Sequence, residues 1–230
     1  MHPLFADLQT LDFIALAFFM IGWCSFEYVV DYSALSRKSL SVLMSEKRRE
    51  WMLVMAERDV RIVDTAIMAG LLQGTGFFAS SSILAIGGCF ALLGSTDAVL
   101  QVYSDLPLAD EISRGLWEFK ILGLAFLFVY TFFKFGWAFR LFNYSGILIG
   151  AVPPIENASL EERQKKAIMA AEMNMIAGRH FTSGLRGIFL ALGYLGWFIG
   201  PVIFICSTVF VMFVLIRRQY FSNSRALLLD

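Results

Sequence analysis

The chain has 230 residues, of which 58% are hydrophobic and 17% charged, and its mean hydropathy is +0.67. Ordinary soluble domains are about 45–50% apolar and about 25% charged, so the composition points away from a soluble domain and toward a membrane protein. Nineteen basic residues balance nineteen acidic ones, and a net charge of zero suggests no nucleic-acid partner.

Four stretches are long and apolar enough to cross a hydrocarbon core, which takes about 20 residues as a helix. They are 11–30, 66–94, 116–138 and 187–216. The first, "LDFIALAFFMIGWCSFEYVV", has no Lys or Arg before it and no small-residue cleavage site after it. It is expected to remain as a spanning helix rather than act as a signal peptide. Asp12 lies near its outer edge, and Glu27 and Asp31 near its inner one.

Segment 37–64 places Leu40, Leu43, Met44, Trp51, Val54, Met55 and Ile62 at amphipathic spacing. With no Gly or Pro from 45 to 69, this helix is expected to run straight into the second span. That span carries Ala66, Gly70, Gly74, Ser81, Ala85 and Gly88 as one strip of small residues, a face on which another helix packs closely in lipid. The outer loop 95–115 is acidic through Asp97, Asp105, Asp110 and Glu111. In the third span Trp117 is expected as an interfacial anchor, with Glu118 and Lys120 close enough to the boundary to reach water.

The run "YTFFKFGWAFRLFNY", 130–144, sets Lys134 and Arg140 among eight aromatic residues. The following "SGILIGAVPP" is too short to span and is expected to be interfacial or buried in protein. Ser159 and Glu162 then have capping-box spacing at the start of a second inner helix. Its small residues Ala167, Ala170, Ala171, Asn174, Ala177 and Gly178 make a close-packing stripe, and it is expected to continue into the fourth span. There Gly193, Gly196 and Gly200 are packing positions, and Pro201 is expected to kink the helix. No repeat or separate soluble segment is visible, so 1–230 reads as a single integral membrane domain.

Orientation follows the basic residues in the loops. Segment 31–65 carries seven, Arg37, Lys38, Lys47, Arg48, Arg49, Arg58 and Arg61. Segment 139–186 carries six, Arg140, Arg163, Lys165, Lys166, Arg179 and Arg186. Four spans with both of these inside put both termini outside, against the weaker pull of Arg217, Arg218 and Arg225 in the tail.

The strings "WMLVMAERDVRIVDTAIMAGLLQGTGFFASSSILAIGG", "LWEFKILGLAFLFVYTFFKFGWAFRLFNYSGILIGAVP", "AGRHFTSGLRGIFLALGYLGWF" and "RRQYFSNSRALL" together resemble the bacterial membrane family catalogued as domain of unknown function 599. The resemblance covers nearly the whole chain. It implies a multi-span inner-membrane protein and brings no activity, cofactor or catalytic residue.

No phosphate-binding, zinc-protease, C-x-x-C or nucleophile-elbow motif is present, and the only histidines are His2 and His180. No metal, cofactor or catalytic residue is therefore expected, and neither is enzyme activity. Cys24, Cys89 and Cys206 fall on three different spans and read as packing residues.

Three constellations remain. In the first, Trp137 and Tyr144 surround Lys134 and Arg140, as an inner-boundary belt with snorkelling cations or as a basic constriction for anions. In the second, Glu57–Arg61 and Arg61–Asp64 have i,i+4 and i,i+3 spacing on one helical face. In the third, Glu27, Asp31, Asp64, Lys134, Arg140, Arg179, His180 and Arg186 are expected at one membrane level. Ionisable groups at that depth are costly unless paired, and mark ion paths or structural ion-pair rings.

The expectation is an all-α polytopic protein with four transmembrane helices and amphipathic cytoplasmic extensions, in the bilayer of a bacterial inner membrane and prone to homo-oligomerise. The leading functional reading is an oligomeric channel or transporter-like protein for a small ion. The alternative is a non-transporting subunit or scaffold that docks a protein partner through 37–64 and 155–182, with Trp51, Met55 and Met173 exposed. A third reading is an enzyme acting on a lipid or quinone.

Overall fold

A computed structural model of the chain describes residues 9–33, 35–36, 39–104 and 113–229. Arg37, Lys38, Asp105, Asp110, Glu111 and His2 lie outside the described residues. Among the described residues the regular structure is helical throughout: α1 (Thr10–Tyr32), α2 (Leu40–Ala56), α3 (Ile62–Gly94), α4 (Thr96–Ser104), α5 (Arg114–Gly150), α6 (Leu160–Tyr194), α7 (Gly196–Ile199), α8 (Pro201–Tyr220) and α9 (Asn223–Ala226), with a 3-10 turn at Ile155–Asn157. The protein is all-α.

Five helices, not four, are long and apolar enough to cross a membrane: Thr10–Asp31, Ile62–Gly94, Arg114–Gly150, Leu160–Ile199 and Pro201–Ala226. The difference arises at 195–200. The stretch 187–216 is divided there, with Gly200 closing α7 and Pro201 opening α8. A proline is well placed at a first helical position, because the N–H it lacks would have no helical partner there. The two sides then pack back on each other. The Ser207 hydroxyl donates to the Gly193 carbonyl at 2.6 Å, and the Arg218 guanidinium lies 5.5 Å from the Phe189 ring. Residue numbers rise on one strand of this hairpin as they fall on the other, so α6 and α8 are antiparallel. At Gly196 an added Cβ would meet the Ser207 hydroxyl and lie 3.0 Å from the Ile203 carbonyl. Gly196 is thus the close-packing position expected of it, and Gly200 acts as the break.

The inner helices also depart from expectation. α2 begins at Ser39, whose hydroxyl accepts from Val42 N, and it ends at Ala56 instead of continuing into α3. No Gly or Pro stops it. Glu57 N and Arg58 N turn back to the Val54 and Met55 carbonyls, and distant contacts hold the rest of the break. Arg163 donates to the Ala56 carbonyl at 2.9 Å, and the Asp59 carboxylate accepts from Ile155 N at 3.3 Å. α5, by contrast, runs on to Gly150, so "SGILIG" is the end of a 37-residue helix. At about 1.5 Å per residue it measures about 55 Å, well beyond a 30 Å hydrocarbon core. Pro153 and Pro154 prevent any continuation.

The chain packs into two compact units, one from the described parts of Met1–Ser36, Ser81–Thr131 and Leu185–Arg218, the other from Arg37–Ser80, Phe132–Gly184 and Gln219–Asp230. The first has a core rich in rings: Phe19, Trp23, Trp117, Tyr194, Trp197 and Phe204. Trp197 stacks on Phe204 at 5.2 Å, and Tyr194 meets Phe204 edge-on at 5.4 Å. Trp117 is only 6% exposed, so it is a core residue and not the interfacial anchor its position suggests. Cys89 joins this core, whereas Cys24 and Cys206 are exposed thiols.

The second unit uses small residues instead. Ala167, Ala170, Ala171 and Ala177 of α6 are fully buried against Met52, Met55, Met68 and Phe142. This is the expected alanine stripe, and Ser159 Oγ accepts from Glu162 N at its start.

Candidate functional sites: buried charge clusters

In the first unit α1 and α6 bring Glu27, Asp31 and Arg186 together. The Arg186 guanidinium lies 3.0 Å from Glu27 Oε2 and 3.0 Å from Asp31 Oδ2, and it is 5% exposed. The two carboxylates, Glu27 half-buried and Asp31 exposed, offset the cost of burying the Arg186 cation. These three of the expected inner-side residues do meet.

A second polar cluster of the same unit was not anticipated. Asp12 accepts from Gln9 N at 3.2 Å and from Trp197 Nε1 at 2.6 Å. Lys120 donates to the Trp197 carbonyl at 2.7 Å and lies 5.4 Å from the indole centroid. Both Asp12 and Lys120 are buried, so Lys120 does not reach water as its position suggests. The signal was present in sequence: a carboxylate and an ammonium inside apolar runs each need a partner. The identity of that partner was not legible.

In the second unit the break after α2 rearranges the Glu57–Arg61–Asp64 ladder. Arg61 donates to the carbonyls of Ile149, Val152 and Pro153, in the last turn of α5 and just beyond it. Asp64, fully buried, accepts from Trp51 Nε1 at 2.7 Å and lies 3.8 Å from Arg58. Its Oδ2 has no hydrogen-bond partner. The i,i+3 and i,i+4 spacing that linked these residues existed only on a continuous helix.

Arg140 is exposed, donates to the Tyr144 hydroxyl at 2.7 Å, and stacks 5.5 Å from the Trp137 centroid. Trp137 is 48% exposed and Tyr144 38%. Exposed rings carrying a cation suit a membrane boundary. Lys134 and His180 are half-buried in this unit and Arg179 is exposed. The expected single ring of eight charges is thus resolved into a triad around the buried Arg186 in one unit and separate arrangements in the other.

The anticipated docking stripe is largely absorbed. Met55 is fully buried, and Trp51 and Met173 are half-buried. Gly70 and Gly74 behave in the opposite way, since an added Cβ at either would meet nothing within 4 Å. Within the chain they are not the packing positions that their spacing suggests. One cavity of about 170 Å³, in the first unit, is lined by apolar and aromatic residues including Phe19, Trp23, Tyr194 and Trp197. Among the described residues no group of three or more His, Cys, Asp or Glu is placed to hold a metal ion.

The model of the family described as "Protein of unknown function, DUF599" matches residues 14–224, and the chain belongs to that family. No curated protein and no solved structure matches it.

Proposed function

We propose that the chain is a non-conducting, multi-pass subunit of the bacterial inner membrane that assembles with a second copy of itself through α3. The observation that carries this reading is the open face of α3. It is the least buried of the five spans, 11% of its apolar window against 22–56% for the others. Its Gly70–Gly74 step is unoccupied, and Gln73, exposed one turn from Gly70, adds an amide that lipid cannot satisfy. Small residues let backbones approach, and an interhelical amide bond adds to the contact. The charges support the same reading. Arg186, Arg61 and Lys120 donate to protein groups that hold helix ends, which is a structural use.

Five spans also place the basic residues consistently. With the N-terminus outside, the α2 loop, the start of α6 and the tail with Arg217, Arg218 and Arg225 all fall inside. The loop before α5 then carries Arg114 alone among outer connections.

The test is the mass of the purified protein in an uncharged detergent, for wild type and for Gly74→Leu. The expected result is an oligomer that Gly74→Leu reduces to monomers with unchanged thermal stability. A monomeric wild type, or an oligomer indifferent to the substitution, refutes the assembly. A second reading, an ion path, is favoured by the unpartnered Oδ2 of Asp64. Its test is flux in liposomes, where a selective current changed by Lys134→Ala or Asp64→Asn replaces the subunit reading.

A further inference from the structure

We propose that Arg48, on α2, binds a phosphate-type oxyanion where it packs against α6.

Arg48 belongs to the second unit and is half-buried. Its Nη1 donates to Asn174 Oδ1 of α6, and its guanidinium lies 5.7 Å from the Phe142 ring centroid. Gly178 makes the approach possible, because a Cβ there would stand 3.3 Å from the guanidinium carbon. The cation is thus held in a defined place by an amide, a ring face and a glycine. None of these carries a negative charge.

The contrast with the other buried arginines is the core of the argument. Arg186 has two carboxylates, while Arg61 and Arg163 lie on carbonyls at the C-terminal ends of α5 and α2, where the helix dipole is negative; Arg48 has one neutral amide oxygen. Among the described residues no carboxylate lies within ion-pair distance of Arg48, and burial alone pushes its guanidinium below the usual value with no acidic group offsetting it. An arginine stays protonated under such pressure, so its charge remains and lacks a counter-charge. Partly buried charges are costly unless paired. Planar N–H groups not used by Asn174 suit a bidentate oxyanion. The oxyanion could be a lipid headgroup phosphate or free phosphate, since both present the same oxygens.

The experiment uses the full chain in dodecyl maltoside, which carries no phosphate, and reads the thermal midpoint. Sodium phosphate is compared with sodium chloride at matched ionic strength, and phosphatidylglycerol with no lipid. Wild type is expected to gain about 3–5 °C at about tenfold excess of ligand over its dissociation constant. A response to phosphatidylglycerol alone identifies the headgroup as the source, and a response to phosphate alone identifies the free ion. Arg48→Gln should lose the response. Asn174→Asp supplies a carboxylate in place but gives up the Nδ2 donor to Ser145 Oγ, so it is read by its response, which should be small for either additive. If Arg48→Gln does not fold, Asn174→Asp decides by itself. An unresponsive wild type, or a wild-type-sized response in Arg48→Gln or Asn174→Asp, overturns the proposal.

Discussion

Arg186 grips Asp31 from 155 residues further along the chain, with Nη1 at 3.3 Å and Nη2 at 3.2 Å from one carboxylate oxygen and Nη2 at 3.0 Å from the other. Glu27, one helical turn earlier on α1, takes the same cation from a second side. A buried arginine serving two carboxylates cannot be removed without leaving both uncompensated. Arg186→Leu should therefore cost about 3–5 kcal/mol, read as a large drop in thermal midpoint in micelles. Asp31→Asn should cost much less, because Glu27 remains. Equal losses from the two would mean that the triad is not the source of the stability.

Trp51 and Asp64 give a sharper test of whether the inner-side charges are structural. Trp51→Phe keeps an aromatic ring, though a smaller one, and withdraws the indole donor, leaving a fully buried carboxylate with Arg58 alone at 3.8 Å. A loss of about 1–3 kcal/mol is expected. Asp64→Asn keeps an acceptor for Trp51 and removes the buried charge, so a change under about 1 kcal/mol is expected. If Asp64→Asn is the more damaging of the two, the charge itself matters at that position.

Gly123 shows where close approach is required. A Cβ there would collide with the Tyr194 hydroxyl, in the ring-filled core of the first unit. Gly123→Ala should destabilise by about 1–3 kcal/mol through overpacking. Gly136→Ala, where an added Cβ meets nothing within 4 Å, should leave stability within about 0.5 kcal/mol. Denaturation of the two variants side by side checks both values.

Topology is directly measurable. A fluorescent reporter that folds only in the cytoplasm, fused after Asp230, should fluoresce, and an alkaline phosphatase fusion at the same point should be inactive. The opposite pair of results would return the chain to an even number of crossings.

Much of the architecture was legible because hydrophobicity along the chain is a local property. The apolar runs, the amphipathic α2 and the alanine face of α6 need only residue type and spacing, and the structure has all three. The position of Pro201 was equally visible, but its consequence was not. A proline can kink a helix or start a new one, and the contact of Gly193 and Gly196 with α8 chooses the second.

The charged residues divide in the same way. Their presence at the edges of apolar runs announced that Asp12, Glu27, Asp64, Lys120 and Arg186 would need partners, since hydrocarbon offers none. Which partner each obtained depended on distant residues: Trp197 for Asp12, Trp51 for Asp64, three carbonyls of α5's end for Arg61. The end of α2 belongs here too, because Arg163 and Ile155, not any local breaker, take its freed backbone and side-chain groups. Sequence by itself determined that this chain is helical, lies in a membrane and must pair its buried charges, because those follow from the free energy of each residue in its solvent. Only the tertiary structure decided the pairs and where the last apolar stretch divides into two helices, because pairing is a property of two helices and no single helix encodes its neighbour.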